Sequence, residues 1–310
     1  MQGVEVAEPF GTPWDNALVI WLGERRGYLS DWVTQQWVRS TGRKVRLAEC
    51  AWLDGPVGGT RGIGKDFFLG YADKHNLELV ESGRRGLLQD FKSLAGSGND
   101  PAAVAPEVGD FYEQTSDYEL DAWSEWHGLF KPFGTALAVI FSRRLQQLNI
   151  PLSAMDSSKG MTSHVLQLRS RETGALVQTA WVRELRATGN VIYAGSYSVC
   201  RVPGFDSPCV KVVFPLPNGN AMVIMKPESH EDGSFSLTSS GGGFGDPGFY
   251  FTVHGEGGAV WARSVRTFKE KITVYAAEAG TARADHELWF CGVKFLRLHY
   301  RMRVAARELV

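Results

Sequence analysis

The sequence predicts an α+β fold. A mixed, mainly helical N-terminal region (1–130) precedes a C-terminal part (131–310) made of an amphipathic helix and a long antiparallel β-meander. The meander rolls into a barrel-like or strongly curved sheet, and the two parts form one integrated globular unit. Three observations predict this. From Thr162 onward the hydrophobic period falls from helical to about two, through HVLQLRS, ALVQTAWVREL, NVIYAGSYSVC, CVKVVFPL, NAMVIMK, SFSLTSS, GFYFTVH, AVWARSVR and KITVY. The joints carry hairpin chemistry: Asn218-Gly219 and Asp232-Gly233 favour type I′ turns, and Glu172-Thr173-Gly174 is a three-residue version. None of the later links is long enough for a helical crossover, so successive strands pair antiparallel. About ten strands in series are too many for a flat sheet, which then curls, closes or splits into layers.

The N-terminal elements follow from punctuation and periodicity. Ser30 is placed to cap a helix, DWVTQQWVRST, with Gly42 just past its end and Val33, Trp37 and Val38 as its apolar stripe. A second helix is expected from Lys65 to His75, stopped by Asn76, a shorter one in GLLQDFKSL, and another in APEVGDFYEQTS after the loop AGSGNDP. The segment GTALAVIFSRRLQQLN is bounded by Pro132 and Pro151. It repeats Leu137, Phe141, Leu145 and Leu148 at helical spacing and is expected to cover one end or face of the sheet.

Charge and composition narrow the function. The 310 residues carry 33 basic and 34 acidic side chains, a net charge of −1. A nucleic-acid groove needs a basic excess to replace counterions, so no nucleic-acid partner is expected. Glu5 and Glu8 stand where a secretory signal has basic residues and an apolar run. The longest uncharged apolar stretch, Pro132 to Ser142, falls far short of the roughly 20 residues of a spanning helix. The expectation is a cytoplasmic protein without a membrane span. Cys50, Cys200, Cys209 and Cys291 contain no CxxC pair, which argues against a zinc knuckle and for reduced thiols; Cys200 and Cys209 flank the loop RVPGFDSP, which brings them near one another.

The segment GGTRGIGKD invites a nucleotide reading. Gly58, Gly62 and Gly64 resemble the glycine-rich turn of short-chain dehydrogenases, with VRLAECAWL as a preceding strand and LELVES as a following one. That family's Tyr-x-x-x-Lys is missing, as are further strand–helix units. Gly59, Gly64 and Lys65 also approach a P-loop, but Asp66 stands where a magnesium-binding hydroxyl belongs. With no GxSxG elbow, HExxH or HxH, no cofactor and no metal is expected.

The terminal hairpin supplies a sharper constellation. A type II′ turn at Gly292-Val293 would pair Cys291 with Lys294 and so place His286 opposite His299 and Asp285 opposite Tyr300, each pair sharing a face. An inward pair of histidines suits acid–base work, and an inward Asp/Tyr pair would orient a carbonyl or hydroxyl, so these four are the candidate catalytic residues. Arg183, Tyr193, Tyr197, Tyr250 and Arg263 are polar groups set within apolar strands, the pattern by which a mostly apolar pocket orients a ligand.

The segments FSRRLQQLN, VVFPLPNGNA, FGDPGFYF and FLRLHYRM resemble uncharacterised bacterial proteins of about this length, over roughly residues 60–305. That resemblance implies a bacterial cytosolic protein and transfers no catalytic residue. The functional expectation is a β-barrel-like cavity that binds an apolar small molecule, as a cofactor-independent cyclase or isomerase of secondary metabolism, or as a non-catalytic carrier of lipid or another hydrophobic ligand. The sequence leaves the ligand and the oligomeric state open.

Overall fold

The computed structural model describes residues 20–61, 63, 66–127, 161–185, 191–278 and 280–305. The helix expected over 134–148, with Leu137, Phe141, Leu145 and Leu148, lies outside them, as do Gly62, Gly64 and Lys65. The described elements are three α-helices, α1 (Leu29–Thr41), α2 (Phe67–Lys74) and α3 (Pro106–Glu113), and fourteen strands. The strands are β1 (Arg43–Val45), β2 (Leu77–Val80), β3 (Tyr118–Trp126), β4 (Met161–Ser170), β5 (Leu176–Leu185), β6 (Val191–Val202) and β7 (Phe205–Leu216). Next come β8 (Gly219–Ser229), β9 (Phe235–Thr238), β10 (Phe249–His254), β11 (Val260–Val265), β12 (Phe268–Ala276), β13 (Thr281–Phe290) and β14 (Val293–Val304).

These strands form a sheet in the order β2-β4-β5-β6-β7-β8-β9-β12-β13-β14-β3, with a branch running from β8 through β10 and β11 to β1. Every ladder is antiparallel, as alternation and short links require. The path is open among the described residues: no ladder joins β3 to β2 or β4, so barrel closure is not formed by these hydrogen bonds. The N-terminal region gives more to the sheet than its helical punctuation suggests. YELDAWSEW, unassigned from the sequence, alternates Tyr118 and Leu120 with Glu119 and Asp121 and becomes β3, the edge beside β14.

One face of the sheet builds the main core. Trp181 of β5, Phe214 of β7, Val223 and Met225 of β8, Phe235 of β9, Ala284 of β13 and Met302 of β14 meet in one cluster. Val108, Phe111 and Tyr112 of α3, with Phe91 and Leu94 from a 3-10 turn, complete it. Only that turn, Phe91–Leu94, forms where a longer helix is expected over GLLQDFKSL. On the opposite face Trp52, Leu53, Met222, Ile224 and Tyr250 make a second cluster.

Several local expectations shift by a residue or a face, each for a visible reason. The β7–β8 turn is Pro217-Asn218, with Asn218 at φ +60, because Leu216 pairs with Gly219. Gly219 is taken up by close approach instead: a Cβ there would sit 2.0 Å from the Thr252 carbonyl oxygen of β10. Helix α1 is capped at Tyr28, two residues before Ser30, and buries Asp31, Gln35 and Val38 while Val33 and Trp37 stay exposed. The buried polar face has work to do: Gln35 Nε2 donates to the Pro217 carbonyl at 3.2 Å, so α1 clamps the β7–β8 turn. Of VRLAECAWL only its first residue, Val45, is in a strand, as the end of β1, and Ala51–Leu53 is a 3-10 turn. Gly58 abuts the same β7–β8 turn, where a Cβ would lie 2.8 Å from the Leu216 oxygen, which accounts for that glycine by packing. Among the described residues no helix is long and apolar enough to cross a membrane.

Candidate functional site

Strand alternation puts Arg183 of β5, Tyr193 and Tyr197 of β6, Glu270 of β12, His286 of β13 and Tyr300 of β14 on the face that builds the main core. Arg183 and Tyr300 lie on strands seven positions apart in the sheet order. Laid flat, that separation would be roughly 34 Å at about 4.8 Å per strand. The Arg183 guanidinium carbon is nevertheless 5.7 Å from the Tyr300 ring centroid, so the two arms of the sheet face one another across the core.

Arg183 is the centre of the group. It is 7% exposed, and its guanidinium carbon lies 4.5 Å from the Trp181 ring centroid and 4.4 Å from that of Tyr193. It also faces the Tyr300 ring, and among the described residues its Nε has no hydrogen-bond partner. The Tyr193 and Tyr197 hydroxyls are 2.6 Å apart. The Tyr193 ring reaches along its strand over Gly195, where a Cβ would stand 3.1 Å from the Tyr193 hydroxyl oxygen. Burial pushes the phenols of Tyr193, Tyr197 and Tyr300 above the usual tyrosine value, and nearby Arg183 pulls each part of the way back. All three are therefore neutral O–H groups near pH 7. Beyond them His286 Nε2 and Glu270 Oε2 stand 3.1 Å apart, with the carboxylate side chain 9% exposed. Trp181 Nε1 is fixed by donating to Ser163 Oγ at 2.7 Å.

The four residues chosen from the terminal hairpin do not pair as expected. The turn is Cys291-Gly292, at φ +50 and +81, and Phe290 pairs with Val293. Phe295 is then the extra residue of a β-bulge, so Trp289 pairs with Lys294 but Leu288 with Leu296. Asp285 thus lies opposite His299, His286 opposite Leu298, and Tyr300 opposite Ala284. The slip of one residue sends His286 and Tyr300 inward and His299 and Asp285 to the outer face. There His299 Nδ1 is 2.6 Å from Asp285 Oδ1, its Nε2 is 3.6 Å from Glu125, and its ring stacks on exposed Trp123. Arg297 donates to Asp285 at 3.0 Å, so this is a ladder of ion pairs on an outer surface.

The other choices divide in the same way. Arg183, Tyr193 and Tyr197 come together. Tyr250 is fully buried in the second cluster, where its hydroxyl holds the loop before β10 through the Gly245 amide and the Gly243 and Asp246 carbonyls. Arg263 donates to the Thr41 carbonyl at 2.7 Å and ties the end of α1 to β11. Glu270 and Trp181 were missed. Both sit in register with the inward set, KEKIT and TAWVRE, and the alternation that marked Arg183 marks them equally. Among the described residues no group of His, Cys, Asp and Glu side chains is arranged to hold a metal ion.

No family model matches the chain, and no solved structure matches it. A protein of Bacillus subtilis (strain 168) named uncharacterized membrane protein YndJ is 29% identical over 247 residues, which cover 78% of this chain and 41% of that protein. The likeness bears out the resemblance to uncharacterised bacterial proteins, although this chain spans only about two-fifths of the relative's length. It also corrects two expectations. A cytoplasmic location gives way, because the protein matched over most of the chain is named a membrane protein. The cyclase or isomerase of secondary metabolism is set aside with it, since that relative is named without any reaction.

Proposed function

We propose that the chain is a binding module that holds an apolar small molecule, a lipid or similar hydrophobic ligand, against the inner face of its sheet in a barrel-like cavity. The observation that carries the reading is the Arg183–Tyr193–Tyr197–Tyr300 group, a few convergent polar side chains set in a wall of aromatic and aliphatic ones. Ligand sites for apolar molecules have this make-up: a large apolar lining and a small number of polar groups that fix orientation. Elsewhere the buried polar side chains of this inner wall would be a cost without a return, because desolvated donors need partners. The name of the relative adds context, since a protein of the membrane has apolar molecules at hand.

The test is native mass spectrometry of protein purified without detergent, followed by titration of the delipidated protein with a fluorescent apolar probe such as N-phenyl-1-naphthylamine. The reading expects either a retained organic ligand or saturable probe uptake, weakened by Trp181→Ala. Delipidated, folded protein that takes up no probe and never carried a ligand would overturn it.

A further inference from the structure

We propose that the polar end of the ligand is an anion, a carboxylate or phosphate monoester on an apolar chain, and that Arg183 binds it. This rests on the hydrophobic-ligand reading above and goes beyond it by fixing the chemistry of the head group.

The argument is a count of donors and acceptors. A guanidinium has five N–H donors, no acceptor and a permanent charge. The Arg183 Nε–H has no hydrogen-bond partner among the described residues, although the residue is only 7% exposed. Among the described residues no carboxylate forms an ion pair with it. The Tyr193–Tyr197 contact uses one of two phenolic hydrogens and leaves the other to donate. Burial raises the Tyr300 phenol above the usual tyrosine value, so it keeps its own O–H. The carboxylate of the group, Glu270, is engaged by His286. Among the described residues, what remains is a surplus of donors around a cation with no counter-ion, its guanidinium covered by aromatic rings.

A buried charge without a partner is costly, so the occupant that completes this site brings the opposite charge and acceptor oxygens. A cationic head group would meet Arg183 with repulsion. A neutral alcohol would accept one hydrogen bond and leave the charge standing. Carboxylates and phosphates fit the fork of the guanidinium and take further bonds from phenols.

The experiment titrates the delipidated chain at pH 7.5 with four probes of one tail length: dodecanoate, dodecyl phosphate, dodecanol and dodecylamine. Affinities are read from tryptophan fluorescence and calorimetry for wild type, Arg183→Met and Arg183→Lys, each checked for folding by circular dichroism. In wild type at least one anionic probe should bind about tenfold or more tighter than dodecanol, as a charge-assisted hydrogen bond implies. Which anion wins separates a carboxylate ligand from a phosphate one. Arg183→Met should erase the preference by lowering affinity for the anions far more than for dodecanol, and Arg183→Lys, which keeps the charge without the fork, should retain part of it. Equal binding of dodecanol and both anions to wild type sinks the head-group proposal while the apolar site stands. Binding of none of the four sinks both readings. A preference that survives both substitutions assigns the anion to another residue and overturns the role of Arg183.

Discussion

Replacing Arg183 with Met keeps an unbranched side chain of similar reach and removes the charge, so it weighs what the guanidinium contributes to the ligand-free fold. The losses are the contacts with the Trp181, Tyr193 and Tyr300 rings, about 1–2 kcal/mol each when desolvated. Against them stands relief from holding a cation out of water without a counter-ion, which is several kcal/mol even after relaxation. The opposing terms nearly cancel, and ligand-free Arg183→Met is expected within about 2 kcal/mol of wild type. A buried charge that already has its partner behaves differently, since removing one member of such a pair costs about 3–5 kcal/mol. Urea denaturation of delipidated protein, followed by circular dichroism and tryptophan fluorescence, measures the difference at constant m-value. A loss of about 4 kcal/mol or more would show the guanidinium to be compensated already, and the donor surplus would be refuted. Saturating anionic ligand should raise the midpoint of wild type by more than that of Arg183→Met, and equal shifts would take the anion away from Arg183.

Other perturbations probe the frame around the site. Phe235 is fully buried between Phe91 and Tyr112, with centroids 4.9 and 5.5 Å away, so Phe235→Ala should cost about 3–5 kcal/mol by the same urea assay; a loss below about 1 kcal/mol would mean the two arms do not close over it. Folding holds the Tyr193 and Tyr197 phenols above their unfolded value of about 10, so their contribution is complete below that pH and is lost as pH rises toward the folded values, by about 1.4 kcal/mol per unit for each phenol. Urea midpoints at pH 8, 10 and 11 should fall accordingly, and less steeply in Tyr193→Phe; parallel slopes would show the phenols to be solvated. Burial pushes the thiols of Cys200 and Cys209 up to about 11 and about 12, whereas Cys291 is exposed. Iodoacetamide at pH 8 should therefore modify Cys291 first and reach the cross-strand pair only in denaturant, as peptide mapping would report. Gly58→Val should lower the melting temperature by crowding the Leu216 carbonyl, and an unchanged melt would remove the packing account of that glycine.

The meander was legible because alternation and turn residues are local signals, and they gave nearly every strand after Thr162. What sequence could not carry was the bookkeeping of single residues. Nothing in DHELWFCGVKFLRLHYRM distinguishes a type II′ turn at Gly292-Val293 from a type I′ turn at Cys291-Gly292, and a bulge at Phe295 leaves no periodic trace. Together the two shift the pairing by one residue, enough to put His286 and His299 on opposite faces. Burial of Gln35 in α1 was equally hidden, since the turn it clamps lies about 180 residues away. Arg183, Tyr193 and Tyr197 were found because polar side chains amid inward-facing apolar ones stand out on the strand itself. Their union with Tyr300 and Glu270 depends on how far the sheet bends, which is a property of long-range packing.

Strand β8 has a further consequence for how the molecule opens. Its first half is sandwiched between β7 and β10, and its second half pairs with β9, so both branches of the sheet start from this one strand. Its amides cannot be freed by peeling an edge, since either branch can detach while the other ladder stays intact. In hydrogen exchange the amides of Ala221, Val223 and Met225 are expected to open only with global unfolding, while those of β3 and β2 at the two ends of the path exchange through local fraying. Nucleation carries the same asymmetry: the β7–β8 hairpin closes over two residues, whereas β9 and β10 can add to it only after it exists. A protease would find its first sites at the ends of the path and its last at the fork.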